Sequence, residues 1–263
     1  MVAVKRKELA NKPLVEAILE LKWALDERPG TEFRFDSNYR LLLGRFFEKV
    51  KTDYPAHKAL PTASVPDEMV GQMAQHRFQK KADSWPLIQL GPGVLTVNET
   101  SGYVWDDFRE RCEKAVRYLL ETYPAEGGPK VDQLTLWYID AVEFDYGKDD
   151  AFRFLKDKLK VQIQLPESLF TEIAVDNKPS TFTWEVAYPL RKPTGHIKLR
   201  FQTGIKQGVP AIIWETFVIS KGKDLPDLRA FGEWLNFAHE ATDEWFFKLI
   251  EGDLEKRFSG GTA

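Results

Sequence analysis

Two groups of residues in this 263-residue chain have the types and spacing to do chemistry. The first lies in "FAHEATDEWFF", residues 237–247, where His239 and Glu240 are adjacent and Asp243 follows one helical turn after the histidine. A zinc-protease helix carries two His ligands at i and i+4, a Glu base between them and a third ligand elsewhere. Here Asp243 stands where the second His belongs. The remaining imidazoles, His57, His76 and His196, show no spacing that singles out a third ligand. On a helical wheel at about 100° per residue, with Leu228 at the origin, Phe231, Trp234, Leu235, Ala238, Trp245 and Leu249 fill one half-circle. His239 falls on the border of that stripe, Asp243 sits where an i, i+4 pair can form, and Glu240 points outward. The run predicts a core helix with a border pair, His239 and Asp243, and no metal site.

The second group is electrostatic. Glu16, Glu20 and Lys22, then Glu185, then His196, Lys198 and Arg200, then Glu215, occupy alternate positions in segments that read as strands. In "HIKLRF", Ile197, Leu199 and Phe201 face one way and the three basic residues the other. If these strands share a sheet, the polar lanes line one groove. Glu20-x-Lys22 partly resembles the Glu-x-Glu-x-Lys opening of triphosphate tunnel enzymes, which grip triphosphate with basic side chains and metal with acidic ones; Ile18 stands where the first Glu belongs. The competing reading is a solvated sheet face held by cross-strand ion pairs. Other chemistry is excluded by pattern. "QLGPGVLTVN" lacks the Gly-Lys-Ser/Thr entry to a helix that cradles phosphate, and there is no Gly-x-Ser-x-Gly. Cys112, the single cysteine, lies in a helical pattern without a neighbouring His and reads as a packed thiol.

The elements that must position these residues follow from periodicity. "PLVEAILELKW" (13–23) alternates as a strand does. Asp36-Ser37 opens a helix through "NYRLLLGRFFEKVKTDYP", stopped at Pro55. A polar, Pro-containing loop to about residue 72 is expected next. "HRFQKKA" and "PLIQLGPGVLTVN" then read as strands turning at Gly91-Pro92-Gly93, and residues 103–124 as a helix. The second half runs as a strand "QLTLWYIDAVEFD", a short helix "DDAFRFLKDKLK", strands "TFTWEVAYPL", "GHIKLRFQTG" and "AIIWETFVIS", and one long helix from Leu225 to Phe258. The expected fold is α+β: an antiparallel sheet with helices on one side, in two pseudo-repeated strand–helix–strands–helix halves, 1–127 and 128–263, sharing one sheet.

Composition narrows the functions. Thirty-seven Lys and Arg against 40 Asp and Glu give a net charge of −3, and the basic runs (Lys5-Arg6-Lys7, Lys80-Lys81, Arg191-Lys192) are short, so nucleic acid is not an expected partner. There is no signal-peptide segment at the start and no apolar run long enough for a membrane, so a cytoplasmic protein is expected. Eight Trp, eight Tyr and 18 Phe predict a thick core or an adhesive contact surface, with Trp85, Trp105 and Trp184 as candidate exposed contacts.

"NKPLVEAILELKW", "IQLGPGVLTVN", "YVWDDF" and the closing "WLNFAHE" with "FFKLI" resemble a sporadically distributed family of bacterial and archaeal proteins of similar length and unknown function. The resembling segments span Asn11 to Ile250. It implies no cofactor or catalytic residue, and its sporadic distribution implies mobile genes such as defence or toxin–antitoxin cassettes. The expectation is a non-catalytic interaction protein, working with a protein partner or as a homo-oligomer and needing no cofactor. The alternative is a metal-dependent enzyme or binder of a phosphorylated small molecule on the polar sheet face.

Overall fold

A computed structural model describes residues 9–27, 30, 34–100 and 102–261; the Lys5-Arg6-Lys7 run and the last two residues lie outside them. The elements are β1 (Leu14–Trp23), a small ribbon of β2 (Asp26–Glu27) and β3 (Arg34–Phe35), α1 (Tyr39–Val50), β4 (Ala56–Ala59), α2 (Asp67–Val70), β5 (His76–Gln79), β6 (Leu87–Gly91), β7 (Val94–Glu99) and α3 (Trp105–Thr122). The second half supplies β8 (Val131–Glu143), α4 (Ala151–Leu159), α5 (Ser168–Thr171), β9 (Thr183–Arg191), β10 (Thr194–Lys206), β11 (Val209–Lys221), α6 (Phe231–Ile250) and α7 (Asp253–Phe258).

Nine strands form one antiparallel sheet in the order β4-β5-β6-β7-β1-β8-β11-β10-β9. Each half's first strand pairs with its own last strand and the others meander outward, and the halves meet where β1 pairs with β8. The fold is α+β, with the four longer helices on one face. The alternation of β1 shows why: Ala17, Leu19, Leu21 and Trp23 enter the main core, against Leu42 and Phe46 of α1, Phe108 and Val116 of α3, and Leu235 and Ala238 of α6. A second cluster joins Phe201, Ile212 and Trp214 to Leu155 of α4, Ile250 of α6 and Leu254 and Phe258 of α7. No helix among the described residues is long and apolar enough to cross a membrane.

Asp36 ties the first half together. Its carboxylate accepts from Trp23 Nε1 (2.8 Å), from the Asn38 amide (2.9 Å) and from the Gly93 amide (3.4 Å). It thus joins the start of α1 to β1 and to the β6–β7 turn. In that turn Pro92 precedes Gly93 at φ +67°, the pairing of proline and left-handed glycine that a type II turn needs.

Two expectations are corrected. The stretch 56–72 is not all loop: Ala56–Ala59 pairs with β5 at the sheet edge, and Pro61–Ser64 forms a 3₁₀ turn. "AHKA" has no strand-like alternation, so only backbone pairing with a neighbour makes it a strand. The closing helix is not continuous either. Gly252, at φ +106°, breaks it between α6 and α7, while Ile250, Leu254 and Phe258 keep facing one core cluster, so apolar spacing alone conceals the break.

Candidate functional site

The face of the sheet away from the helices carries all eight residues of the expected polar lanes. In β1, Glu16, Glu20 and Lys22 alternate with the core residues. Glu20 is registered with Thr96 of β7 and Thr135 of β8, and Lys22 with Gln133 of β8. Arg200 lies between Glu185 of β9 and Glu215 of β11, Lys198 is registered with Phe217, and His196 with Ile219. Cross-strand partners share a face, and the intervening Ile197, Leu199 and Phe201 enter the cores.

These residues form two clusters, not one groove, because β8 runs between them and fills the middle with Thr135, Trp137 and Ile139. On the β9–β11 side, Arg200 donates from Nε (2.5 Å) and Nη2 (2.7 Å) to the two oxygens of Glu215, and Gln202 donates to the same carboxylate at 3.1 Å. Glu215 is only 3% exposed, so this two-pronged, charge-assisted pairing is what makes burying it tolerable. The bond to Glu215, followed by charge attraction, holds the Arg200 pKa above its ordinary value. Lys198 pairs with Glu185 at 3.2 Å. Both cations lie over the Phe217 ring, Lys198 Nζ at 4.3 Å and Arg200 Cζ at 5.3 Å from its centroid, and that ring stacks on Trp137 at 4.9 Å and 22°.

On the other side Lys22 pairs with Glu20 at 3.0 Å. Glu16 accepts from Asn98 Nδ2 at 2.7 Å, and Asn98 Oδ1 accepts from Thr96 at 2.6 Å. Gln89 donates to both Thr96 and Asn98, and Arg77 donates to Gln89 at 3.3 Å. This relay crosses β1, β7, β6 and β5. Burial raises the Glu16 carboxyl above its ordinary value, opposed by the Asn98 bond and the Arg77 charge. Asn98, Thr96, Gln89 and Arg77 were missed by sequence reasoning. For Gln89, Thr96 and Asn98 the signal was the polar positions inside "QLGPGVLTVN", a segment weighed only as a phosphate loop and a strand turn; Arg77 lies in "HRFQKKA", where nothing in the local sequence points to Gln89.

Chemically, this face is a polar layer of paired charges around an aromatic centre, in which Trp137 Nε1 and Arg77 Nε lie buried without a hydrogen-bond partner among the described residues. Each cation expected to grip phosphate, Lys22, Lys198 or Arg200, already holds a carboxylate. Among the described residues no group of three or more His, Cys, Asp or Glu could hold a metal, so the carboxylates here do not converge as a metal-dependent triphosphate site requires. A cavity of about 280 Å³ lies elsewhere, between α1 and α3, lined by Tyr54, Ile88, Arg111 and Tyr118 among others.

His239 sits in the interior rather than at a border, 6% exposed. Its ring lies flat on Trp105 (3.7 Å, 14°), and its Nδ1 is 3.1 Å from the Tyr138 hydroxyl, which meets the Tyr103 hydroxyl at 2.8 Å. The wheel put it at the stripe edge; α3 and β8, approaching from either side, widen the buried arc. Asp243 is half-buried one turn on. Burial, then the neighbouring Tyr103, pushes the Tyr138 hydroxyl well above its usual pKa, so it stays protonated. Burial does the same to the Cys112 thiol, which lies fully inside the core. The expected exposed aromatics are corrected too: Trp105 is buried and Trp184 is half-buried against the second core cluster, leaving Trp85, at 39%, as the exposed one of the three.

No protein-family model matches the chain, and no curated protein matches it.

Proposed function

We propose that the protein is a non-catalytic interaction protein that presents the helix-free face of its sheet to a protein surface, either another copy of itself or a second protein. The observation that supports this most is the Trp137–Phe217 stack capped by Lys198 and Arg200, with both cations neutralised by their own glutamates. A half-buried Trp137 beside paired charges, over a Phe217 ring that is itself only 6% exposed, suits a protein partner: the indole and the lysine and arginine stems supply apolar contact and the charges supply register. It suits a phosphate poorly, because an incoming anion must first displace a carboxylate. The resemblance to a sporadically distributed family supports a place in a mobile defence or toxin–antitoxin cassette, where the partner would be encoded nearby.

The test combines mass measurement by light scattering, alone and with the product of the adjacent gene, and thermal melting. Lys198→Glu combined with Trp137→Ser is expected to abolish the larger species that wild type forms while leaving the far-ultraviolet circular dichroism of the monomer unchanged. A melting temperature raised several degrees by triphosphate with Mg²⁺ or Mn²⁺, and lost in Lys198→Ala and Arg200→Ala, would overturn this reading in favour of a phosphorylated ligand, since a ligand that binds only the native state stabilises it.

A further inference from the structure

At the far edge of the sheet, on the helix-covered side, two imidazoles converge. His57 of β4 and His76 of β5 bring Nε2 and Nδ1 to 2.9 Å. Their rings stack at 5.1 Å and 26°. His57 also stacks on Phe78 at 5.4 Å and lies 5.8 Å from Phe47 of α1, while His76 lies 6.4 Å from Tyr39. Aromatic neighbours on both sides therefore limit ring rotation, and His57, on the edge strand, is open to solvent.

We infer that His57 Nε2 and His76 Nδ1 form a two-imidazole site for a tetragonal divalent cation of the copper(II) or nickel(II) class. Ligand type sets the class, and the separation is compatible with it. Metal–nitrogen bonds of about 2.0–2.1 Å span about 2.8–3.0 Å when two nitrogens sit at 90° on a tetragonal metal. The same bonds span about 3.3–3.4 Å at the tetrahedral angle that zinc prefers. The observed 2.9 Å is the hydrogen-bonded separation of the two rings, and a tetragonal metal can replace the shared proton with little movement of either nitrogen. No group of three or more metal-ligating side chains exists among the described residues, so water or an external ligand completes the coordination. Imidazole nitrogen suits these metals, and copper(II) heads the divalent affinity order.

The proton balance is simple. Between the two rings one nitrogen now donates its proton to the other. Chelation moves that proton to the far nitrogen of the same ring, so both facing lone pairs become free and no net proton is released.

The experiment is titration of the full chain with Cu²⁺, followed by electron paramagnetic resonance with ¹⁵N-labelled histidine and by thermal melting. The expected result is one equivalent bound with an axial spectrum coupled to two histidine nitrogens. A melting temperature raised by several degrees should accompany it, because the ion staples β4 to β5. His57→Phe, which keeps a ring on Phe78, and His76→Gln should each abolish the two-nitrogen spectrum, and Zn²⁺ should bind more weakly than Cu²⁺. A spectrum coupled to one histidine nitrogen or none on the unaltered chain would overturn the inference. Binding that survives both substitutions would do the same.

Discussion

Asp140 shows how one side chain can set the pH response of the molecule. It lies on β8 between Tyr138 of the first core cluster and Val142 of the second, only 3% exposed. Burial pushes its carboxyl up to about 8, with Lys206 pulling the other way. The folded pKa therefore exceeds the unfolded value, so folding favours the protonated form. Stability is expected to fall as pH rises from about 4 to about 8, by at most about 1.4 kcal/mol per pH unit from this group, and to level off above. Asp140→Asn should remove that slope, matching wild type near pH 4 and exceeding it at pH 9 in urea unfolding. A pair of parallel curves would mean that Asp140 ionises freely in the fold. Arg200 makes a second residue-scale case. Arg200→Ala leaves Glu215 buried without its two strongest donors, at an expected cost of about 2–3 kcal/mol, less than for a wholly buried pair because Arg200 keeps 28% side-chain exposure. Replacing both partners with apolar residues, Arg200→Met with Glu215→Leu, should recover most of that loss in the same assay.

Edge strand β9 carries its own protection. The Thr203 amide donates to the Phe182 carbonyl at 3.1 Å, which sets the even-numbered residues of β9 bonding inward to β10 and the odd-numbered ones outward. Pro189 is therefore in the outward row, where its missing N–H interrupts the line of donors on which another strand could build. Pro189→Val should leave the β9–β10 pairing intact and increase self-association with concentration, read by light scattering. Unchanged mass would show that the edge is guarded by something else. Other elements show how far pattern carries. β1 and β8 were legible because their alternation is driven by a helix-covered face. β4 was not, since its four residues owe their conformation to a hydrogen-bonded neighbour rather than to side-chain burial.

The two halves meet along β1 and β8, and the main core cluster takes Leu19 and Phe46 from one half and Leu136 and Leu235 from the other. Cutting the chain near 127 would expose the inner edge of β1 and part of that apolar face. A single cooperative urea transition is expected, with tryptophan fluorescence and far-ultraviolet circular dichroism superimposing; two separated transitions would mean that the halves are independent folding units.

The sequence by itself determined the fold class, the segments that became the long strands and helices, and the sorting of Glu16, Glu20, Lys22, Glu185, His196, Lys198, Arg200 and Glu215 away from the core-facing residues of their strands. Those features follow from local periodicity, which each segment expresses without knowledge of its neighbours. Only the tertiary structure decided which of those residues meet. The order β1-β8-β11-β10-β9 puts Trp137 between the two charged lanes and Glu215 under Arg200, and the pairing of β4 with β5 brings His57 to His76 across 19 residues of sequence. Strand order and register depend on contacts far apart in the chain, and a period of two along a strand carries no information about which strand lies beside it.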